Sequence, residues 1–286
     1  MFNLILAIIS SALVSITMRV SEGRIKNNIS MLSVNYVICM ILSIVYTGTN
    51  NFFQTGEGLG TAIALGTVNG FFYIFGLVLF QNSVKQNGVV LSSIFMKLGI
   101  MMPLIISIVL FHEIPTLVQS VGFIMAIIAI VLINLKEKNT DTTFEKSEKV
   151  KIQKLSLVLV LAGCGMADGM SKIYQELGAD TYEEVFLVFT FVIALFLSIV
   201  LVAIKKQKIT KNELVYGAML GVPNYFSARF LLKALGEIPA VVAYPTFSIG
   251  TIAVITLTGI VGFKEKITKL QLLAIGLIAI AVVLLN

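Results

Sequence analysis

Three charged side chains, Lys97, Asp168 and Arg229, lie inside stretches of sequence that are otherwise apolar. Because a charge in apolar surroundings is costly, such residues usually bind an opposite charge, relay a proton or pair with each other. Lys97 could hold an anionic group of a ligand, or it could be neutral or paired and only tie helices together. Asp168 could bind a proton or a cation, or pair with Arg229. For Arg229, near the end of its stretch, both a ligand contact and a structural role stay open.

Uncharged polar residues recur at helical spacing in the same stretches. Asn35 and Cys39 are four residues apart, as are Asn69 and Tyr73, and the spacing puts each pair on one helix face. Such faces either line a ligand site or form packing contacts between helices, and both alternatives stay open. The candidate ligand-binding residues are Asn35, Asn69, Tyr73, Ser93, Lys97, Asn224, Arg229, Tyr244 and Ser248, and the candidate ion-coupling residue is Asp168.

The sequence argues against an enzyme. Its only histidine, His112, lies in the segment HEIPT, which lacks the second histidine of a zinc-protease motif. The phosphate-binding pattern G-x-x-x-x-G-K-[ST] is absent, and Cys39 and Cys164 lie in separate apolar stretches. We therefore expect no catalytic residues, no metal site and no cofactor.

The composition is that of a membrane protein. Hydrophobic residues make up 57% of the 286 residues and charged residues 13%, with a mean hydropathy of +0.97. A soluble domain has about 25% charged residues. The net charge of +6 comes from short clusters of lysine and arginine between apolar stretches, which is typical of membrane orientation rather than of nucleic-acid binding. The first stretch lacks a positively charged start and a cleavage site, so we interpret it as a span and not a signal peptide.

The apolar stretches predict ten transmembrane helices, since each approaches the roughly 20 residues that cross a bilayer. Uninterrupted apolarity favours helices over the alternating strands of a membrane barrel. The predicted spans are 2–18, 31–47, 61–80, 89–111, 114–135, 155–171, 185–204, 214–233, 239–263 and 270–285. A charged stretch, 136–154, is predicted to be a solvated connector on the cytoplasmic side between two halves, 1–135 and 155–286.

The two halves resemble each other. The segment FHEIPTLVQ begins at Phe111 and FKEKITKLQ begins at Phe263, with Phe, Glu, Thr and Gln in the same places 152 residues apart. Three glycines, at 66, 70 and 99, recur at 217, 221 and 250, an offset of 151 residues. These matches in a constant order predict a duplicated five-helix unit.

The charges predict that the second copy is inverted. The loops after the odd-numbered spans carry 17 of the 21 lysines and arginines, and the alternate loops carry only Lys172 and Lys233. Positively charged loops lie in the cytoplasm, so both termini are predicted to be extracytoplasmic. We expect a multi-pass protein of the cytoplasmic membrane. Two inverted halves are typical of secondary transporters, which bind a substrate near the midplane.

The whole chain is similar to the EamA-like branch of the drug/metabolite transporter superfamily, and the motifs are clearest in the second half. The similarity lies in GFKEKITKLQLLAIGLIAIAVVLL, from Gly262, and in YPTFSIG, from Tyr244. In the first half Glu113 and Gln119 fit, whereas Ile94 stands where the second copy has Pro245. The resemblance implies ten helices in two inverted repeats and the export or exchange of a small metabolite.

The resemblance also bears on the substrate. In the sugar-phosphate branch, basic residues on helices four and nine bind the anion. Here only helix four has one, Lys97, which favours a single carboxylate or a zwitterion. The alternatives are a flippase for lipid-linked or nucleotide sugars and a channel, although no ring of charges or filter is evident. We expect a small-molecule substrate and membrane lipids as partners, no nucleic acid, and a monomer.

Overall fold

A computed structural model describes residues 1–21, 23–52, 56–87, 95–96, 98–134 and 147–263, with the isolated positions 276, 277, 280 and 284. Within these residues all regular secondary structure is helical, including a single short 3₁₀ turn before α7. The α-helices are α1 Phe2–Ser21, α2 Asn28–Phe52, α3 Leu59–Asn87, α4 Met101–Phe111, α5 Leu117–Asn134, α6 Ser147–Leu177, α7 Glu183–Ile204, α8 Lys211–Glu237 and α9 Ala240–Phe263.

The protein is an all-α membrane protein. Six segments of the described helices, in α1, α2, α3, α6, α7 and α9, are long and apolar enough to cross a bilayer. The shorter α4 is also apolar. Most of the predicted tenth span, 270–285, lies outside the described residues, so the ten-helix count stays a prediction.

Several helices extend beyond the apolar stretches. Helix α6 begins at Ser147, inside the predicted connector, because Glu and Lys are good helix formers and a helix outside the bilayer need not be apolar. It also continues to Leu177, past the predicted end at 171, so Lys172 belongs to the helix and not to a loop. Helix α2 extends to Phe52 across Gly48, whose positive φ of 69° only glycine adopts easily.

The principal helix contacts close into a ring of eight helices. The order around the ring is α4, α6, α3, α7, α2, α8, α1, α9 and back to α4, while α5 packs outside against α9. Each neighbouring pair joins a helix that precedes the connector to one that follows it. The two halves also make equivalent contacts. Helix α3 packs on α6, and its counterpart α8 packs on α1. Likewise α4 packs on α6, and its counterpart α9 packs on α1. An inverted five-helix repeat predicts such an arrangement.

Glycines permit the closest of these contacts. A Cβ atom added to Gly66 of α3 would lie 2.5 Å from the Phe186 carbonyl oxygen of α7. One added to Gly217 of α8 would lie 2.6 Å from the Met31 carbonyl oxygen of α2. The seams α3–α7 and α2–α8 therefore depend on glycines at matching positions of the two halves.

The described loops gather at two ends of the ring. At one end, Arg24 Nη1 of the α1–α2 loop donates to the Tyr216 hydroxyl at 2.7 Å, next to the α7–α8 loop. At the other end, the Met1 amino group lies 2.9 Å from the Glu237 carboxylate, at the end of α8. The loops α2–α3, α4–α5, α6–α7 and α8–α9 share this second end. We call the first end inner and the second outer, after the orientation that the loop charges predict.

The phrase that the sequence repeats marks the start of a helix. The Thr116 backbone N–H donates to Gln119 Oε1 at 3.0 Å, and the Gln119 backbone N–H donates to Thr116 Oγ1 at 3.2 Å. This reciprocal pair is a capping box, which satisfies N–H groups that α5 leaves without helical partners. The second copy of the phrase lies outside the described residues.

A buried carboxylate, Glu213, joins the two halves at the inner end. Its Oε1 accepts the backbone N–H groups of Lys26 at 2.7 Å and Asn27 at 3.1 Å, just before α2 begins. Its Oε2 accepts the Thr210 N–H at 2.9 Å, which caps α8. Burial would raise the pKa of Glu213, but the hydrogen bonds from Thr210, Lys26 and Asn27 outweigh it and lower the pKa to about 2.

We expect Glu213→Ala to destabilise the protein by about 2 kcal/mol, because three N–H groups lose their acceptor. Since the folded pKa lies below the ordinary 4.5, the stabilisation by the charge is complete above that value and is lost as the pH falls toward about 2. In detergent, the unfolding temperature of the parent should exceed that of Glu213→Gln, and the difference should become smaller as the pH falls through this range. A gap independent of pH would contradict the assignment.

Candidate functional site

The structure describes eight of the ten candidate residues. Lys97 and Ser93 lie outside the described residues, so their roles stay predictions from the sequence. The described candidates are on five helices: Asn35 on α2, Asn69 and Tyr73 on α3, Asp168 on α6, Asn224 and Arg229 on α8, and Tyr244 and Ser248 on α9.

A buried amide pair joins α2 to α8. Asn224 Nδ2 donates to Asn35 Oδ1 at 3.1 Å and lies 3.7 Å from Cys39 Sγ. The Cys39 thiol donates to the Gly221 carbonyl at 3.3 Å, so its sulfur faces Asn224 as an acceptor and Asn224 must present its NH2 group. Asn35 is 0% exposed, and its Nδ2 atom has no hydrogen-bond partner within the described part of the chain.

A second buried amide joins α3 to α7. Asn69 Nδ2 donates to Thr190 Oγ1 at 3.3 Å, and the Thr190 hydroxyl donates to the Phe186 carbonyl at 2.9 Å. The hydroxyl hydrogen is thus committed to Phe186, which makes Thr190 the acceptor and fixes the orientation of the Asn69 amide. Asn69 Oδ1 is buried and has no hydrogen-bond partner among the described residues. Among the described residues, the two seams therefore hold a donor on Asn35 and an acceptor on Asn69 that are not paired.

Two tyrosines meet near Asp168. The Tyr244 hydroxyl on α9 donates to the Asp168 backbone carbonyl on α6 at 2.6 Å. Helices α9 and α6 are separated in the ring by α4, so this bond joins two helices that are not neighbours in the ring. Tyr73 of α3 is within electrostatic range of Asp168 and of Tyr36 on α2, and its ring packs edge-on against Phe191 at 6.0 Å between centroids.

Asp168, Tyr73 and Tyr244 therefore form one polar group of the ring, while the Asn35–Asn224 amide pair and the Asn69–Thr190 hydrogen bond lie in two of its seams. Ser248, one turn beyond Tyr244 on the same face of α9, is half-buried. Tyr36 belongs to this group, although the sequence analysis does not single it out. It lies three residues before Cys39, a helical spacing that could have indicated it.

Arg229 pairs with a residue that the sequence analysis does not consider. Its Nε bonds Glu184 of α7, and its guanidinium carbon lies 4.1 Å from the centroid of the Tyr46 ring. The Tyr225 hydroxyl donates to the other Glu184 oxygen at 2.7 Å. Both charged side chains are only about one-sixth exposed, at 17% and 15%. This cluster joins α7, α2 and α8 near the outer end.

A second buried ion cluster lies on the opposite side of the ring. Lys172 Nζ is 2.5 Å from Glu113 Oε1 and also bonds Glu176, and the lysine is 1% exposed. Glu113 also accepts the Ser107 hydroxyl, and its Oε2 accepts the Ala240 N–H at 3.0 Å, where α9 begins. Burial opposes the charge on Glu113, but Lys172, Ser107 and the Ala240 N–H hold its pKa below the ordinary value.

The end of the apolar stretch predicts Lys172 in an outer loop, and this prediction is wrong. An apolar span appeared to end at Ser171, and a lysine just beyond it is usually solvated. The partners that bury Lys172 come from α6 itself and from the α4–α5 turn, a contact distant in the sequence. Helical spacing of four between Lys172 and Glu176 was the one signal that could have indicated an ion pair.

Comparisons with known proteins agree with this architecture. The model of the EamA-like transporter family matches residues 1–135, and that of the Small Multidrug Resistance protein family matches residues 186–278. An uncharacterized protein of Haemophilus influenzae is 26% identical over 96% of this chain and 94% of its own length. A protein of known crystal structure, 12% identical, superposes with a TM-score of 0.75 over 99% of this chain and 94% of its own, which shows a shared fold.

Both families that match are membrane transporters, and neither consists of enzymes. Their two matches fall on the two halves of the chain, and the apolar helices and the ring fit the same class. The two matches are consistent with the drug/metabolite transporter superfamily and support a membrane transporter of that type.

Proposed function

We propose that the protein is a secondary active transporter that moves a small polar metabolite, such as an amino acid or a carboxylate, across the cytoplasmic membrane. It works by alternating access between two inverted five-helix repeats, in the direction of export or exchange, with both termini outside the cell. The observation that supports this proposal is the ring of helices from both halves, which holds Asp168 near two tyrosines and, in its seams, two buried amides with atoms that lack a hydrogen-bond partner among the described residues.

The chemistry of the interior favours a zwitterion or a single carboxylate. Asp168 supplies a negative charge for a proton or an ammonium group, while Lys97, by its place in the sequence, supplies a positive charge for a carboxylate. Asn35 offers a hydrogen-bond donor and Asn69 an acceptor, which suit a ligand that has both kinds of group. A buried amide atom without a partner is costly, so a ligand that pairs with it gains affinity.

The ring arrangement supports alternating access. Because each principal seam joins the two halves, a rotation of one half against the other changes many seams at once and can open the interior at either end. The driving force would be an ion gradient or exchange, since the sequence has no phosphate-binding loop for ATP.

Reconstituted transport tests the proposal. Purified protein in liposomes is offered radiolabelled amino acids, organic acids, nucleobases and nucleotide sugars. For the substrate so identified, Lys97→Met should lower uptake at least about tenfold, the effect of losing roughly 1.4 kcal/mol of binding. Lys97→Arg should retain part of the activity, and Lys211→Met, at an exposed lysine of the inner end, should match the parent.

Equal transport by Lys97→Met and the parent would contradict the role of Lys97. Transport of nucleotide sugars alone would contradict the small-metabolite proposal and would favour the flippase alternative.

A further inference from the structure

Two helical hairpins of the second half meet at the outer end of the ring. One hairpin consists of α6 and α7, joined by residues 178–182, and the other consists of α8 and α9, joined by residues 238–239. Helices α6 and α8 also contact each other directly, although α3, α7 and α2 separate them along one arc of the ring and α4, α9 and α1 along the other. This contact spans the ring, so the tips of the two hairpins cover its outer mouth.

Three contacts hold the hairpin tips together. Glu184 of the first hairpin bonds Arg229 of the second, inside the aromatic cluster with Tyr46. Gln175 of the first hairpin lies against Gly236 of the second, where an added Cβ would be 2.9 Å from Gln175 Nε2. The third contact is indirect.

The indirect contact passes through the first half. Lys172 of α6 bonds Glu113, and Glu113 accepts the Ala240 N–H at the start of α9. The carboxylate on the α4–α5 turn thus holds both hairpins at once. Since the Lys172 cluster joins α6 to the start of α9 and the Glu184 cluster joins α7 to α8, the outer mouth is held at two separate places.

The inner end differs at the equivalent positions. Gly66 of α3 contacts Phe186 of α7 in the same way as Gly217 of α8 contacts Met31 of α2. Helix α7 therefore corresponds to α2 at an offset of 155 residues, and α8 corresponds to α3 at an offset of 151 residues. By these offsets Glu184 corresponds to Ile29 and Arg229 to Val78, both apolar. The described parts of α1 and α3 also lack a direct packing comparable with that of α6 and α8. The ionic contact is therefore specific to one end of the molecule.

We propose that the tips of the α6–α7 and α8–α9 hairpins form the outer gate, and that the Glu184–Arg229 pair is the latch that keeps it closed. The inference rests on alternating access and thus on the proposed function. Opening must separate Glu184 from Arg229 and Gln175 from Gly236. The Gln175 contact is neutral, and Gln175 Oε1 has no hydrogen-bond partner among the described residues, so the charge pair dominates the closure.

The Lys172–Glu113 cluster has a different part in this gate. Lys172 is almost fully buried, whereas Glu184 and Arg229 retain some exposure to water. Separation of a partly hydrated pair is the easier step, because water can take over its hydrogen bonds. The Lys172 cluster is therefore the hinge side, which stays joined, and the Glu184–Arg229 side opens.

Accessibility of the ring interior tests the latch without a known substrate. A single reporter, Ser248→Cys, is placed in a chain that carries Cys39→Ser and Cys164→Ala. A membrane-impermeant thiol reagent is applied to intact cells and to inside-out vesicles. A separate Asp180→Cys variant identifies the side on which the exposed α6–α7 loop lies.

From the Asp180 side, Glu184→Gln should raise the labelling rate of the reporter about tenfold, which corresponds to a tenfold larger open population. The charge swap of Glu184→Arg with Arg229→Glu should return the rate close to that of the parent. Glu237→Gln, at an exposed outer carboxylate that bonds Met1 and Asn3, should leave the rate unchanged. An unchanged rate in Glu184→Gln, or an equal increase from both sides, would overturn the proposal.

A disulfide across the tips provides a second test. In the same chain, which carries the Ser248→Cys reporter, Gln175→Cys with Gly236→Cys should form a disulfide that blocks labelling of the reporter from the Asp180 side, and a reductant should restore it. If the oxidised protein labels or transports as fast as the reduced one, the tips do not form the gate. Failure of every substrate in the transport panel would instead count against the proposed function and would leave these labelling results interpretable.

Discussion

Replacing Glu113 with Ala should destabilise the folded protein by about 3 kcal/mol, the largest stability effect that we expect of any single carboxylate. Lys172 is 1% exposed and would lose one of its two carboxylate partners. The Ala240 N–H and the Ser107 hydroxyl would lose their acceptor as well. One substitution thus weakens the contacts among α4, α6 and α9, and leaves polar groups buried without partners.

The neighbouring carboxylate provides the matched control. Glu176 bonds the same lysine but is 36% exposed and lies in the same helix as Lys172, so Glu176→Ala should cost less than about 1 kcal/mol. Thermal unfolding in detergent can be followed with a thiol-reactive dye, since Cys39 is fully buried in the folded protein. The double variant Lys172→Met with Glu113→Gln should recover part of the lost stability, because no buried charge is then left unpaired. Equal stabilities of Glu113→Ala and Glu176→Ala would contradict this account.

Asp168→Asn is expected to reduce gradient-driven accumulation of the substrate about a hundredfold, while exchange of labelled for unlabelled substrate continues. Asn has nearly the same shape but cannot take up or release a proton, and a coupled cycle needs both states of the carboxylate. The Tyr244 hydrogen bond goes to the backbone carbonyl of Asp168, so it survives the substitution and the helices stay in place. Loss of accumulation without loss of exchange would separate coupling from structure.

Both measurements use one liposome preparation, with and without an imposed pH gradient. Asp180→Asn removes an exposed carboxylate in the α6–α7 loop and should behave like the parent. Asp168→Glu, which retains the charge, should keep part of the accumulation. If Asp168→Asn lowers accumulation and exchange by the same factor, Asp168 binds the substrate or supports the fold and does not couple transport to an ion.

The membrane architecture could be predicted because it depends on local composition. Apolarity sustained over about 20 residues predicted α1, α2, α3, α7 and α9 with small errors at their ends. The errors arose where a helix continues in polar sequence, as α6 does on the N-terminal side of Leu155. Hydropathy reports where lipid begins, and a backbone can remain helical beyond that point.

The partners of the charged residues could not be predicted. Helical spacing placed Asn35 and Cys39 on one face of α2, and the structure shows both of them against Asn224 of α8. Ser43 lies on the same face of α2, four residues after Cys39, but it donates to the Cys39 carbonyl of its own helix at 2.8 Å and therefore serves packing. Glu184 lies at the start of an apolar helix, where a carboxylate usually faces water. Its pairing with Arg229, 45 residues away, depends on which helices become neighbours, and spacing within one helix carries no such information.

The alternation of helices around the ring has a consequence for biogenesis. Helices α1 to α4 leave the ribosome first, yet their principal neighbours in the ring are all synthesised later. The helices of the first half are therefore surrounded by lipid until their neighbours are synthesised, and the high apolarity of α1, α2 and α3 suits them to this environment. Helix α8, which carries Arg229 and is not among the strongly apolar spans, arrives when α1 and α2 are already in the membrane to receive it. We accordingly expect that a chain truncated after residue 135 inserts but is degraded, and that co-expression of residues 147–286 rescues it.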